Sequence, residues 1–410
     1  MQRFGKVLGS ACRNAAALAI LGGLLLDAPA AAQDSAREGT TRDEIRIGLI
    51  TRAPLAEPSY DPNAPPEDEA LAGARLALRD NNGAGAFTGH RYALEEAILD
   101  EGRSAADAAR ALVAKGTDYL VLNLPADEVL AVADALKTDP VMVFNAAATD
   151  DRLRGADCRA NLFHVAPSRA MLADGLAQFL AFMRWRKLFL IVGPKPADRL
   201  YADAVKRAAR KFGLQIAAEK PWEFGPLARA RGDSPTTAEA FVFTRGIDYD
   251  IAIVADEAGD FGDYVPFRTV DPRPVAGTQG LTVTTWSPVL EVWGAAQAQN
   301  RFRRLAKRIM TPLDYQVWMA MRAVAEAVTQ IKTADPKAIA AYLKSPAFAL
   351  PAYKGVPLSF RAWDRQLRQP LLVVQPRALV TVAPEKAFLH QRTPLDTLGI
   401  DQPETECKLQ

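Results

Sequence analysis

Apolar and polar positions switch between two periods along this chain. IRIGLI (45–50) is an almost unbroken apolar run, as in a strand covered on both faces, whereas Ala70, Leu71, Ala74, Leu76 and Leu78 recur at helical spacing. RYALEEAIL (91–99) then alternates as a strand, Ser104–Lys115 is amphipathic, YLVLNL is a strand, Asp127–Lys137 a helix and VMVFN a strand. A second series of the same make-up begins at Arg169. It has a helix through Met183, the strand KLFLIVG, a helix from Ala197 to Phe212, LQIAAE, a helix before Gly246, YDIAIVAD and QGLTVTTW. Strands alternating with helices predict parallel, doubly wound sheets, and two such series predict an α/β protein of two similar lobes. The tail departs from this pattern: helices over Ala295–Arg308 and Leu313–Ile331, then PKAIAAYLK, then LLVVQPRALVTV as two strands around Gln375-Pro376.

One stretch tests the reading. In NNGAGAFTGHRY (81–92), Gly83, Gly85 and Gly89 fall one residue short of the spacing that cradles a dinucleotide pyrophosphate. A phosphate loop needs a strand before its glycines and a helix N-terminus behind them. Here a helix precedes and a strand follows, so carbonyls would meet the ligand. Asn81-Asn82-Gly83 is therefore read as the end of the helix, followed by a turn.

The first 32 residues have the layout of a secretory signal peptide, with Arg3, Lys6 and Arg13 before an apolar core at Ala15–Leu26 and Ala30-Ala31-Ala32 as cleavage site. That core is shorter than the roughly 20 residues of a membrane span. The expectation is export to the periplasm. The segment holds three basic residues and one acid, Asp27, so its removal cancels the whole-chain charge of +2 and leaves no electrostatic case for nucleic acid. It also removes Cys12. Cys158 and Cys407 remain, and in an oxidising compartment they are expected to pair, tying the C-terminal tail to the first lobe; two free thiols are the alternative.

Enzyme motifs are missing: there is no G-x-S-x-G, H-E-x-x-H, G-x-x-x-x-G-K-[ST] or C-x-x-C. The three histidines, His90, His164 and His390, stand apart and read as structural, so neither an enzyme, a metal site nor a resident cofactor is expected. Open sheets bind ligands beyond the carboxyl ends of their strands. The candidates there are Thr51-Arg52, Asn123–Pro125, Asn145–Thr149, Lys195–Tyr201, Asp256-Glu257 and Trp286-Ser287, each of which would otherwise be a turn or cap. Of the tryptophans, Trp185 and Trp318 sit in helical patterns and read as core, while Trp222 and Trp286 are open between pocket and packing.

IRIGLITRAP, ARLALRDNNGAGAFTG, VFNAAATDDRLR, NLFHVAPSRAMLADGLAQFL and YDIAIVADE resemble the type I periplasmic solute-binding proteins of the branched-chain amino-acid transport class. DCRANLFHVAPSRAML, FRTVDPRPVAGTQGL, FRAWDRQLRQP and FLHQRTPLDTLGIDQPETEC are similar to a subgroup found with pyrroloquinoline-quinone-dependent alcohol dehydrogenase systems. The resemblance implies two lobes joined by three hinge crossings. The first lobe would be 43–166 with 287–355, the second 167–286 with 356–385, and the C-terminal tail 386–410. It further implies a monomer that closes on a small-molecule solute and presents it to an ABC permease in the inner membrane.

In the resembling amino-acid binders, segments similar to Asn123–Pro125 and Ala147, Ala148 and Thr149 hold a carboxylate, an aromatic is similar to Tyr201, and an acid similar to Asp256 or Glu257 holds the ammonium. This chain departs from them with Leu124-Pro125 in place of a small hydroxyl and with Arg52, Lys195 and Arg199 as added cations. That favours a larger anion. Pyrroloquinoline quinone is the first expectation, with Arg52, Lys195, Arg199 and Arg268 supplying charge and Trp286 or Trp222 the stacking face. An amino acid is the runner-up and a small carboxylate third. A periplasmic sensor or enzyme on the same fold is the rival function class.

Overall fold

The computed structural model describes residues 44–53, 64–224 and 236–409. The expected export segment and most of the proline-rich stretch 53–66, a candidate rim of the cleft or else a plain connecting loop, lie outside them. In chain order the first sheet is built from β1 (Glu44–Arg52), α1 (Leu71–Thr88), β2 (Arg91–Leu99), α2 (Ala105–Ala114), β3 (Tyr119–Asn123), α3 (Ala126–Ala135), β4 (Met142–Asn145) and β5 (Leu162–His164). All its strands are parallel, in the order β2-β1-β3-β4-β5. Successive side chains point to opposite faces. Ile50, Leu120, Leu122 and Val143 therefore pack under α2 and α3, while Ile47, Leu49, Val121 and Phe144 face the core that includes α1.

The second sheet comes from α4 (Arg169–Phe182), β6 (Lys187–Val192), α5 (Pro196–Lys211), β7 (Gln215–Pro221), α6 (Thr236–Phe243), β8 (Ile251–Ala255), β9 (Val275–Gly277) and β10 (Leu281–Thr284). The chain then returns to the first lobe with α7 (Ala295–Ala306), α8 (Pro312–Ile331) and α9 (Pro336–Leu343), the first two packing on α1. A two-stranded ribbon, β11 (Ser359–Phe360) and β12 (Leu367–Arg368), follows. The hairpin β13 (Leu371–Gln375) and β14 (Ala378–Ala383) closes the second sheet as β14-β13-β10-β9-β8-β6-β7, antiparallel at that edge and parallel elsewhere. This is the expected α/β fold of two doubly wound lobes.

Two details differ from the expectation. Helix α1 does not stop at Gly83. It runs through the glycines to Thr88, and Gly89, at φ +82°, is the left-handed cap. Asn82 mimics a backbone group, its Nδ2 donating to Tyr92 O and its Oδ1 accepting from Tyr92 N, while a Cβ on Gly85 would lie 2.4 Å from His90 O. Gly85 thus serves close approach of the next segment, a use that propensity does not reveal. The second difference is the last crossing. Leu358, Phe360 and Leu367, beyond the expected 355/356 boundary, pack in the cluster that holds α1 and α8, and the next strand, β13, joins the second sheet. Trp286 likewise packs in the first-lobe core.

The lobes are joined at 165–168, at 285–286 and at 369–370, and side-chain donors pin these crossings together. Gln369 Nε2 donates to Val165 O (2.7 Å), and Gln366 Nε2 to His164 O (3.3 Å) and Ala166 O (3.1 Å). Lys354, fully buried, donates from Nζ to Thr285 O and to Pro370 O (3.2 Å). Burial alone pushes this ammonium down to about 7. Below pH 7 both states of the chain hold the proton. Above it the folded protein loses the proton while the unfolded lysine keeps it to about 10.4, so stability climbs with pH across that window. The free energy of unfolding is expected to rise by about 2 kcal/mol from pH 7 to 9 through this residue, and urea titration of Lys354→Met should lack that rise.

The tail touches both lobes. Asp396 receives Arg361 Nε (2.9 Å) and Arg368 Nε (2.7 Å), beside the first-lobe core. Lys211 Nζ on α5 donates to Thr397 O (2.9 Å) and Gly399 O (3.1 Å), and Gly399 N donates to buried Asp174 on α4 (2.8 Å). Cys407 then bonds to Cys158 of the first lobe, as expected from the sequence.

Candidate functional site

In a sheet of order 2-1-3-4-5, ligands approach where the winding reverses, between the first and third strands. In the first lobe that point lies between the ends of β1 and β3, where Asn123 Nδ2 donates to Thr51 Oγ1 (2.8 Å). Arg52, next along, is committed elsewhere. Its Nε meets Glu128 (3.0 Å) and its two terminal nitrogens reach Asp100 O and Arg103 O. Beyond β4, buried Asn145 folds the following turn, its Oδ1 accepting from Ala147 N (3.1 Å) and Ala148 N (2.8 Å). Below it Arg154 donates to Ala148 O and Asp150 O (3.0 Å each) and to Ala166 O (2.7 Å), and burial pushes its guanidinium down to about 10. Asn145 thus holds the Ala147–Thr149 segment in place instead of offering its amide to a solute.

The second lobe repeats the arrangement between β6 and β8. Asp198, at the start of α5, accepts from Lys195 N (3.0 Å) and Glu257 N (2.8 Å), and Gly193 is needed because a Cβ there would sit 2.3 Å from Asp198 Oδ2. The carboxylate of Asp256 is consumed by three backbone donors, Asp260 N, Phe261 N and Gly262 N, at 2.7–3.0 Å. Lys195 is exposed and pairs with Asp260 (2.9 Å), and Arg199 donates to Pro194 O (2.6 Å). Tyr201 is buried, its hydroxyl pushed up by burial and further by the nearby Glu257 carboxylate.

Arg268 is not with this group. Its neighbours are Tyr264, 5.4 Å under the guanidinium, and a segment whose Val270 N reaches Thr244, before the amino end of β8. Nor do the two open tryptophans face a cleft. Trp286 is buried, stacked on Tyr315 at 4.6 Å with Nε1 donating to Gln299, and Trp222 is buried against Phe261 at 4.5 Å. Both are packing residues.

What joins the strand ends of the two lobes is a residue the sequence reading passed over. Arg169, buried at the first position of α4, donates Nε (2.8 Å) and an Nη (2.6 Å) to Glu257, and its other Nη lies 2.9 Å from Asp150. Its backbone N also donates to Thr149 O (2.8 Å). Thr149, Asp150, Arg169, Glu257 and Tyr201 thereby meet at one junction. A signal was present: a basic residue in the first turn of a helix opposes the helix dipole and needs an acid nearby. Ser168 and Asp151 satisfy that helix start, accepting from Met171 N and Ala170 N.

The junction offers hydrogen-bond donors and acceptors around one guanidinium set between two carboxylates. His164 is buried and held neutral by burial and by Arg154. Among the described residues no cluster of His, Cys, Asp and Glu could hold a metal, and no helix is long and apolar enough to cross a membrane.

Residues 44–229 match the model of the periplasmic binding protein family. No curated protein matches the chain. Solved structures do. A periplasmic ligand-binding protein of a branched-chain amino-acid ABC transporter from Burkholderia xenovorans is 14% identical, with 89% of this chain and 99% of that one covered at a TM-score of 0.67. An ABC-transporter solute-binding protein from R. palustris in complex with benzoate is 14% identical over 90% and 100% of the two chains, TM-score 0.64. A branched-chain amino-acid binding protein from Streptococcus pneumoniae in complex with isoleucine is 17% identical over 83% and 99%, TM-score 0.60. With that family match across the first lobe and into the second, and a likeness in shape along nearly the whole chain, the protein has the two-lobed fold of the type I periplasmic binding proteins.

Proposed function

We propose that this chain is the solute-binding component of an ABC importer, exported to the periplasm, and that it closes on a small anionic solute for delivery to an inner-membrane permease. The observation that carries the reading is the Asp150–Arg169–Glu257 junction, which links the strand ends of the two lobes in addition to the pinned crossings and the tail. Closure needs contacts that differ between open and closed populations, and a ligand seated there would touch both lobes.

The same junction bears on the choice between an anion and an amino acid. Glu257, the acid that resemblance assigns to an ammonium group, already has both oxygens engaged by Arg169, and Asp256 is spent on its own loop. Arg169 also faces Asp150, so the three side chains keep one negative charge, and the preference for an anion rests on the cations and backbone donors around them. Pyrroloquinoline quinone remains the first ligand on the strength of the sequence resemblance, and a role beside a quinoprotein dehydrogenase goes with it. With Arg52 tied to Glu128 and Arg268 at the far end of the sheet, Lys195, Arg199 and the backbone N–H groups of Ala147–Thr149 are left to meet its carboxylates.

Calorimetric titration of the mature chain with the quinone, benzoate and leucine tests this. An amine-free carboxylate should give saturable heat, be recovered unchanged and, at a hundredfold excess over Kd, stabilise the fold by about 2.7 kcal/mol. Micromolar leucine binding with no heat from either carboxylate overturns the ligand class, and chemical turnover overturns the transport reading.

A further inference from the structure

Away from the junction, the first lobe carries a cavity of about 800 Å³ between α1, α7, α8 and the loop before β11. Its lining combines three aromatic side chains, Trp293, Trp318 and Tyr353, with Arg301 and Arg322 against one carboxylate, Asp80. Trp318 and Tyr353 stack at 5.4 Å, continuing a column that starts at Trp286 and passes through Tyr315. The arginines are held in place without being used up. Arg301 donates to Asp80 (3.1 Å) and to the Tyr353 hydroxyl (2.9 Å), and its buried Nε has no hydrogen-bond partner among the described residues. Arg322 donates to Asn81 Oδ1 (2.7 Å) and lies 4.0 Å from Glu326.

The backbone here is costly in a way that packing does not explain. Trp293 and Tyr353 both sit at φ +56°, a region bulky residues avoid at about 1–3 kcal/mol each. The half-exposed Trp293 ring lies over Gly355, where any Cβ would come within 2.6 Å of it. A tryptophan that is both strained and 48% exposed contributes little to the core. Strain of this kind is kept where it presents a side chain to something.

We propose that this cavity is a second ligand site, separate from the cleft, that takes a planar aromatic carboxylate. The ring would lie on the Trp293 and Tyr353 faces and the carboxylate would meet the fork of Arg301, with Arg322 adding charge. The volume suits a molecule of that size. A neutral aromatic would leave two guanidinium groups with Asp80 as the one lining carboxylate, and an aliphatic anion would leave the exposed indole wet.

Titration of the mature chain with 2-naphthoate, followed by tryptophan emission, tests it. Trp318 in the lining supplies the signal. Saturable quenching is expected, weakened at least tenfold by Trp293→Ala and by Arg301→Gln and left unchanged by Arg169→Met. Naphthalene-2-carboxamide should bind at least tenfold more weakly than the acid. Should Arg301→Gln not fold cooperatively in urea, Arg301→Lys, which keeps the charge and loses the fork, should bind more weakly than the parent. A naphthoate signal that does not saturate, one that neither cavity substitution weakens, or an amide that binds as tightly as the acid overturns the proposal. A signal lost only in Arg169→Met places the naphthoate in the cleft and overturns it as well.

Discussion

Replacing Cys158 and Cys407 together by serine is expected to lower the free energy of unfolding by about 5 kcal/mol. The bridge spans 249 residues, and in the chain-entropy picture a loop that long removes more freedom from the unfolded state than a short one would. Its position adds a mechanical consequence. Before reaching Cys407 the tail is held on the second lobe by Asp174, Lys211 and Gln178 and beside the first-lobe core by Arg361 and Arg368. Asp174 is buried, and burial pushes its carboxyl up against the opposing pull of Arg207 and Lys211, so the tail is fastened to a group that cannot easily be left unpaired. The disulfide closes this belt on the first lobe. Urea denaturation should show a lower midpoint for the double serine variant and a steeper slope, because the unfolded chain without the crosslink is less compact and exposes more surface. A change below 1 kcal/mol, or two titratable thiols in the denatured, unreduced protein, would sink the assignment.

That pairing was legible because it followed from compartment chemistry and arithmetic: one cysteine leaves with the export segment and two remain. Long periodic elements were legible too. KLFLIV and IAIVA read as strands because both their faces are buried, and α8 as a helix because it is long and largely apolar, with thirteen of its side chains buried. Short elements were not. The three-residue strands LFH and VAG have no period of their own and exist because β4 and β8 offer them a parallel edge. The α1 stretch through Gly83 and Gly85 was misread for a related reason: its stop signals are overridden by Asn82 pairing with Tyr92 and by His90 passing close to Gly85.

The site shows the same division. Reading one residue past each strand names the loops at the strand ends but not which side chain in each loop is spent on the loop itself. Asn145 and Asp256 satisfy backbone donors within six residues, a local use that a sequence permits but does not announce. Arg52 is settled by Glu128, and Arg169 by Glu257 at a separation of 88 residues, pairings that only the folded chain decides.

Arg169→Met is the second substitution with a large expected effect. The guanidinium is nine-tenths buried between Glu257 and Asp150, both less than a quarter exposed, so its loss leaves two acids facing each other with little water. Breaking a buried pair by removing one partner typically costs about 3–5 kcal/mol, against which the α4 N-terminus regains at most about 1 kcal/mol on losing an adverse cation. A net loss of about 3 kcal/mol is expected at pH 7. Adding Glu257→Gln to Arg169→Met should recover part of the loss, because one of the unpaired acids is then neutral. Solute binding should fall in the single variant, since Arg169 joins the two surfaces the ligand must touch. Unfolding and ligand titrations of the two variants decide it: a loss under 1 kcal/mol with parental affinity would mean that the crossings and the tail hold the lobes without this junction.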